Sequence, residues 1–271
     1  MPRTARSHTP HTDTLAPALR ERRVTLGHVG LHILCPVDPE AIIDDWLVAT
    51  DGDASPRHDS VEPTVPYWVN VWPASVALGR RLVKLRLGGC RVLELGAGVG
   101  IAGIAAAHAG ARVLLTDNQP SALAVAAQNA ARNHLAVRTR LLDWCTPGWA
   151  EPFDLVIAAD VLYERRLVEP LAALLPALVG RNGRAVIADP GRPCLSAFRD
   201  ALEPNGLHVR FEPTHLFWAG EPRTVTLVHV AADAAIVRRS LGSHRWGNHD
   251  RNQDAVVGGH REQTGGADTH L

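Results

Sequence analysis

Four cysteines in 271 residues, Cys35, Cys90, Cys145 and Cys194, stand far apart with no CxxC pair or zinc-finger spacing, which argues against a disulfide framework and a structural zinc site. A charge excess of either sign is also missing. Lys plus Arg and Asp plus Glu number 28 each, so no global field draws the chain to nucleic acid or to an anionic membrane. No charge-free apolar run reaches membrane-spanning length, and the opening stretch MPRTARSHTPHTDTLAP lacks the apolar core of a signal peptide. These absences lead to the expectation of a soluble, cytoplasmic protein with reduced thiols, acting on neither membrane nor nucleic acid. Apolar periodicity is missing at both ends. Residues 1–22 and 237–271 are expected to be disordered tails, because they bury too little apolar surface to offset roughly 1–2 kcal/mol of chain entropy per residue. Their histidines match no metal-ligand spacing.

Between the ends, residues 23–66 form an extension. RVTLGHVGLHILC (23–35) has the pattern of one or two strands, PEAIIDDWLVA (39–49) that of a short helix, and residues 50–66 form a Pro/Asp/Ser linker. From 67 to 236 the pattern becomes a regular alternation of apolar strands with Ala- and Leu-rich helices. Strands are predicted at 91–95, 111–117, 137–143, 153–160 and 184–189, with helices at 99–110, at PSALAVAAQNAARN, at RLVEPLAALLPALVG (interrupted at Pro170 and Pro176) and at 195–206. Two last strands, 207–213 and 223–231, are separated only by a short HLFWAGEP loop. That leaves no room for a crossover helix, so they pair antiparallel. The expectation is an α/β fold: a doubly wound, Rossmann-like, seven-stranded sheet, mostly parallel with an antiparallel C-terminal hairpin.

The stretch VLELGAGVG (92–100) closes the first strand of that sheet, at the position where such folds place a ligand over a glycine turn. Gly98, Gly100 and Gly103 satisfy GxGxxG, so a dinucleotide such as NAD has to be weighed, with Asp117 at the right distance to hold ribose hydroxyls. Glu94 argues otherwise. Placed at the mouth of the site, its carboxylate would repel a pyrophosphate by about 1 kcal/mol or more at 4 Å. It would favour a cation such as S-adenosylmethionine, which carries an ammonium and a sulfonium and no phosphate. The alternative for Glu94 is a buried polar residue paired within the fold. Asp117 can hold ribose hydroxyls or cap the helix that starts at Pro120. Asp143 can accept an adenine amino group, and Trp144 can lie against the ring or be an ordinary half-buried aromatic. Trp72 either closes the pocket from above or packs the extension on the sheet edge.

These motifs together resemble the class I, seven-stranded S-adenosylmethionine-dependent methyltransferases. VLELGAGVG looks like their first motif, LLTDNQP the acidic motif after it, LLDW the adenine-contacting loop and FDLVIAADVLY the fourth-strand motif. More narrowly, PYWVNVWPASVALGRRL, AADVLYE and ADPGRP are similar to the lineage of protein-lysine methyltransferases of the electron-transfer-flavoprotein β-subunit and valosin-containing-protein type, which includes nicotinamide N-methyltransferase-like proteins. The resemblance implies a cofactor-binding set of Trp72, Glu94, Gly96, Gly98, Gly100, Asp117, Asn118, Asp143, Trp144 and Ala159. It also implies that Asp160 and Tyr163, in a D-x-x-Y element, are the catalytic pair that binds and orients a target lysine; the alternative is a helix-capping Asp160 with Tyr163 packed beneath. No Pro-Pro-aromatic turn stands at this position, which disfavours a flipped base as substrate.

Methyl transfer is an in-line displacement that rewards alignment, worth roughly 7–11 kcal/mol. A lysine nucleophile must also be neutral, although its ordinary pKa is near 10.4. The expected function is therefore S-adenosylmethionine-dependent methylation of a protein lysine. The alternatives are N-methylation of a small amine, an NAD-dependent oxidoreductase, and a module that binds the cofactor without turnover. Arg80, Arg81, Lys84 and Arg86 form a basic cluster that reads as a solvated helix face or a dock for an acidic partner.

Overall fold

In a computed structural model the described residues are 17–49, 65–239 and 241–243. Seven strands form one sheet in the order β5 (Arg138–Leu141), β4 (Arg112–Asp117), β3 (Arg91–Leu95), β6 (Leu155–Ala159), β7 (Arg184–Asp189), β9 (Glu221–Ala231), β8 (His208–Trp218). The first five pair in parallel, and β9 joins both β7 and β8 antiparallel. The expected fold is the one observed. Its central strands read as unbroken apolar runs because both faces are covered. Alternate residues serve opposite cores: Leu155 and Ile157 pack with Val92 and Val186 on one face, while Val156 and Ala158 pack with Leu93 and Ile187 on the other. The first face carries α2 (Pro73–Leu82), α3 (Ile101–His108) and α4 (Pro120–Arg132); the second carries α5 (Val168–Val179) and α6 (Leu195–Leu202).

Four expectations are corrected. The N-terminal strands begin within the expected tail: β1 (Leu19–Leu26) pairs with β2 (Val29–Pro36) in a separate two-stranded sheet, from Leu19 opposite Pro36 to Leu26 opposite Val29. At the other end, α7 (Ala234–Arg238) runs into the expected tail and Leu241 beyond it is fully buried. Residues 1–16, 240 and 244–271 of the tails, and 50–64 of the linker, lie outside the described residues. Helix α5 is continuous through both prolines. Pro170 sits in its first turn, where the N–H would be unpaired in any case, and Pro176 forfeits a single bond. Leu171, Leu175 and Leu178, all at 0% exposure, outweigh that loss at about 2 kcal/mol each. Finally, most of the expected HLFWAGEP loop is strand. β8 and β9 extend to Trp218 and Glu221 and turn on Ala219 and Gly220, both with positive φ, the two-residue turn that suits a twisted hairpin.

The basic cluster is divided. Arg81 is paired with Glu212 at 2.6 Å and Arg80 donates to the carbonyl of Thr25, while Lys84 and Arg86 are exposed. Helix α1 (Pro39–Ala49) follows the hairpin.

Candidate active site

The strand order reverses between β4 and β6 on either side of β3, which opens a crevice beyond the carboxyl end of β3. The glycine turn fills that end. Gly96, Gly98 and Gly100 hold φ of 61°, 52° and 85°, a region that residues with a Cβ disfavour. Three of the turn's donors are already used: the N–H of Ala97 bonds Thr116 O, that of Gly98 bonds Asp117 Oδ2 at 2.9 Å, and that of Gly100 bonds Ala97 O. A phosphate-binding turn presents such N–H groups to its ligand; here these three are bonded within the protein.

Glu94 is 2% exposed and its Oε2 accepts the Gly103 N–H at 2.8 Å. Burial pushes its carboxyl up to about 8, against the pull of that hydrogen bond. Glu94 thus lines the cavity as a buried carboxyl rather than an exposed anion at its mouth, and burial favours its protonated form. The case against a diphosphate therefore passes from repulsion by Glu94 to the occupied N–H groups of Ala97, Gly98 and Gly100. Asp117, at the end of β4, is buried and raised by that burial. Its Oδ2 holds Gly98 and its Oδ1 accepts the Gln119 N–H at 3.0 Å, so the helix-start contact and a place on the cavity wall coexist.

The turn borders a cavity of about 80 Å³. Its floor is Glu94, Gly96, Ala97 and Gly98; Asp117, Asn118 and Trp144 lie on one side and Ala159, Asp160 and Tyr163 on the other; Tyr67, Trp68 and Trp72 also line it. Against Asn118, Gln119 and Trp144 lies a second cleft of about 880 Å³, which also includes Asp143, Leu142 and Trp46. Of the expected cofactor contacts, only Gly100 and Asp143 are off the smaller cavity. Gly100 starts α3, where an added Cβ would come within 3.1 Å of Ala126. Asp143 accepts the Cys145 N–H at 2.8 Å and faces the larger cleft. Trp144 is 9% exposed, and its indole N–H has no partner among the described residues.

At the end of β6, Asp160 takes φ +58° and its carboxylate is 2% exposed. Arg192 grips it with two bonds, Nε to Oδ1 at 2.7 Å and Nη2 to Oδ2 at 3.0 Å. Asp160 therefore neither caps a helix nor stands alone. Tyr163 packs edge-on against Tyr67 with ring centroids 5.1 Å apart, and burial raises its hydroxyl above the ordinary range. Trp72 lines the cavity and donates its indole N–H to Tyr67 O. Sequence reasoning missed Arg192, although ADPGRP had been singled out, and also Tyr67 and Trp68. A cation just past a strand-end Asp-Pro-Gly, beside another strand-end carboxylate, was the available signal.

Residues 68–194 match the model of a family described as lysine methyltransferase. The chain is 35% identical over 151 residues to the electron transfer flavoprotein beta subunit lysine methyltransferase of Danio rerio, covering 53% of this chain and 56% of that protein. It is 36% identical over 121 residues to a Homo sapiens histone-arginine methyltransferase, covering 41% and 64%. The chain thus spans between about half and two thirds of the length of these curated relatives. Among solved structures, magnesium protoporphyrin IX methyltransferase from Synechocystis PCC 6803, with bound SAM, shares the fold at a TM-score of 0.50 and 21% identity, over 72% of this chain and 98% of that one.

Proposed function

We propose, from the premise that residues 68–194 form a lysine methyltransferase family domain, that this protein is an S-adenosylmethionine-dependent protein-lysine N-methyltransferase. The observation that carries the proposal is a single cavity walled both by the glycine turn with Glu94 and by Asp160 and Tyr163, so that donor and acceptor sites share one space. The residues present fit the cofactor. Glu94 and Asp117 are buried acids suited to cationic and hydroxyl groups, the N–H groups of Ala97, Gly98 and Gly100 are already bonded within the protein, and Trp144, on the wall of both spaces, has an unused indole donor. At about 80 Å³ the inner cavity is smaller than the roughly 300 Å³ of an ordinary ligand pocket. The larger cleft has to take the adenine, with Asp143 and Trp144 on its wall, and the aromatic strap at 67–72 has to yield.

When bound, the cofactor supplies an activated methyl group. The chain's own residues do the rest. Tyr67, Trp72 and Tyr163 exclude water and offer ring faces to an amine. The dry setting disfavours the ammonium form of a lysine and thereby frees its lone pair. Asp160 and Tyr163 orient that amine toward the cavity floor, the alignment on which the rate depends.

Isothermal titration should give nanomolar-to-micromolar binding of S-adenosylhomocysteine and none of NADH; the reverse would restore the oxidoreductase reading. Tritium from methyl-labelled S-adenosylmethionine should then enter lysate protein and be recovered as methyl-lysine. Label found only in small molecules would replace the protein acceptor with a small amine.

A further inference from the structure

We propose that Arg192 is an internal occupant of the acceptor subsite: without an acceptor its guanidinium holds Asp160, and an arriving lysine ammonium takes Asp160 while Arg192 moves onto Asp189. This inference rests on the methyltransferase reading and deepens it. Asp160 and Asp189 end neighbouring strands, and the Asp160 N–H bonds the carbonyl of Ala188. Asp189 is 0% exposed. Its Oδ1 accepts the backbone N–H groups of Gly191 and Arg192, both at 2.7 Å, and its Oδ2 has no partner among the described residues. Two buried carboxylates thus share one guanidinium, which pairs by side chain with one and is anchored by its backbone to the other. A buried acceptor left open is costly, and burial raises the Asp189 carboxyl, so a cation brought to Asp189 would relieve both.

Arg192 also stands where a substrate cation belongs. Its guanidinium lies 5.7 Å from the ring centroid of Trp72, a cation–π placement open equally to an alkylammonium. The carboxylate of Asp160 is fixed at 2% exposure, whereas the Arg192 side chain is 34% exposed and comes from the loop after β7. Arg192 is therefore the member free to move.

The test uses the full chain saturated with S-adenosylhomocysteine and titrates n-butylammonium, with binding read by NMR. Arg192→Gln should bind the probe about tenfold more tightly than wild type, the equivalent of one charged hydrogen bond no longer in competition. Arg192→Lys should stay near wild type, because a cation still occupies Asp160. Asp189→Asn should bind severalfold more weakly, having lost the alternative seat, and the Asp160→Asn/Arg192→Gln double variant should not bind. Equal or weaker binding by Arg192→Gln, or an unchanged Asp189→Asn, would overturn the exchange. Binding of S-adenosylhomocysteine to each protein is measured first; it controls for folding, and its absence from wild type would sink the methyltransferase reading instead.

Discussion

Glu94 is a carboxylate whose ionisation is tied to what sits above it. Its folded pKa of about 8 stands above the ordinary 4.5, so burial favours the protonated form. The sign follows directly. Below 4.5 the folded and unfolded chains both carry the proton; between 4.5 and 8 the unfolded chain gives it up while the fold retains it, and stability falls by up to about 1.4 kcal/mol per pH unit. The contribution is lost as pH rises through 8. Glu94→Gln should flatten this dependence in urea titrations run between pH 5 and 8. A cation on the cavity floor reverses the preference, so cofactor binding at pH 7 should release up to one proton and tighten as pH rises to about 8. Calorimetry in buffers of different ionisation enthalpy reads that proton directly. If Glu94→Gln releases as much as wild type, the cation does not meet Glu94. Glu94 and Asp160 were both legible in the sequence because strand-end carboxylates stand out in apolar runs. Their partners, Gly103 and Arg192, were not: side-chain pairing over 9 and 32 residues leaves no periodic trace.

Among the elements, the glycine turn separates two kinds of glycine that GxGxxG treats alike. A Cβ on Gly103 would collide with Leu115 Cδ2 and with the Glu94 carboxylate. Gly103→Ala should therefore destabilise the fold by about 1–3 kcal/mol through overpacking, and should displace Glu94 as well. A Cβ on Gly98 would meet Trp68 Cα no closer than 3.7 Å, an ordinary contact. Gly98→Ala should lose only about 1–2 kcal/mol to its left-handed backbone, while it narrows the cavity and weakens S-adenosylhomocysteine binding. Paired thermal melts and titrations separate the two; equal loss of stability in both variants would erase the distinction. The parallel strands were legible because residues buried on both faces make unbroken apolar runs. The hairpin tip was not, since at its end Phe217 is 68% exposed and β8 alternates between exposed and part-buried positions.

Across the whole molecule, the N-terminal hairpin is joined to the site by two asparagines of α4. Asn129 accepts the Leu34 N–H at 2.6 Å and donates to Leu34 O, and Asn133 does the same for His32. The spacing explains the match. Four helical residues rise about 6 Å and two strand residues about 6.7 Å, so side-chain amides at i and i+4 imitate a neighbouring strand along the β2 edge. Nothing in an alanine-rich helix pattern announces this, because an asparagine reads there as a solvated position. Asn129 is instead at 0% exposure and also donates to Val99 O at 2.9 Å, inside the glycine turn. One amide therefore holds the hairpin, α4 and the turn together. Asn129→Ala would leave a buried N–H and two carbonyls unpaired, for a loss of about 2–5 kcal/mol, whereas Asn133→Ala, which is partly solvated, should lose about 1 kcal/mol. Hydrogen exchange should speed up along β2 in both, but only Asn129→Ala should also weaken S-adenosylhomocysteine binding, by freeing the Val99 carbonyl. Undiminished cofactor affinity in a folded Asn129→Ala protein would show that the hairpin and the turn are merely adjacent, and that the extension adds stability without setting the shape of the site.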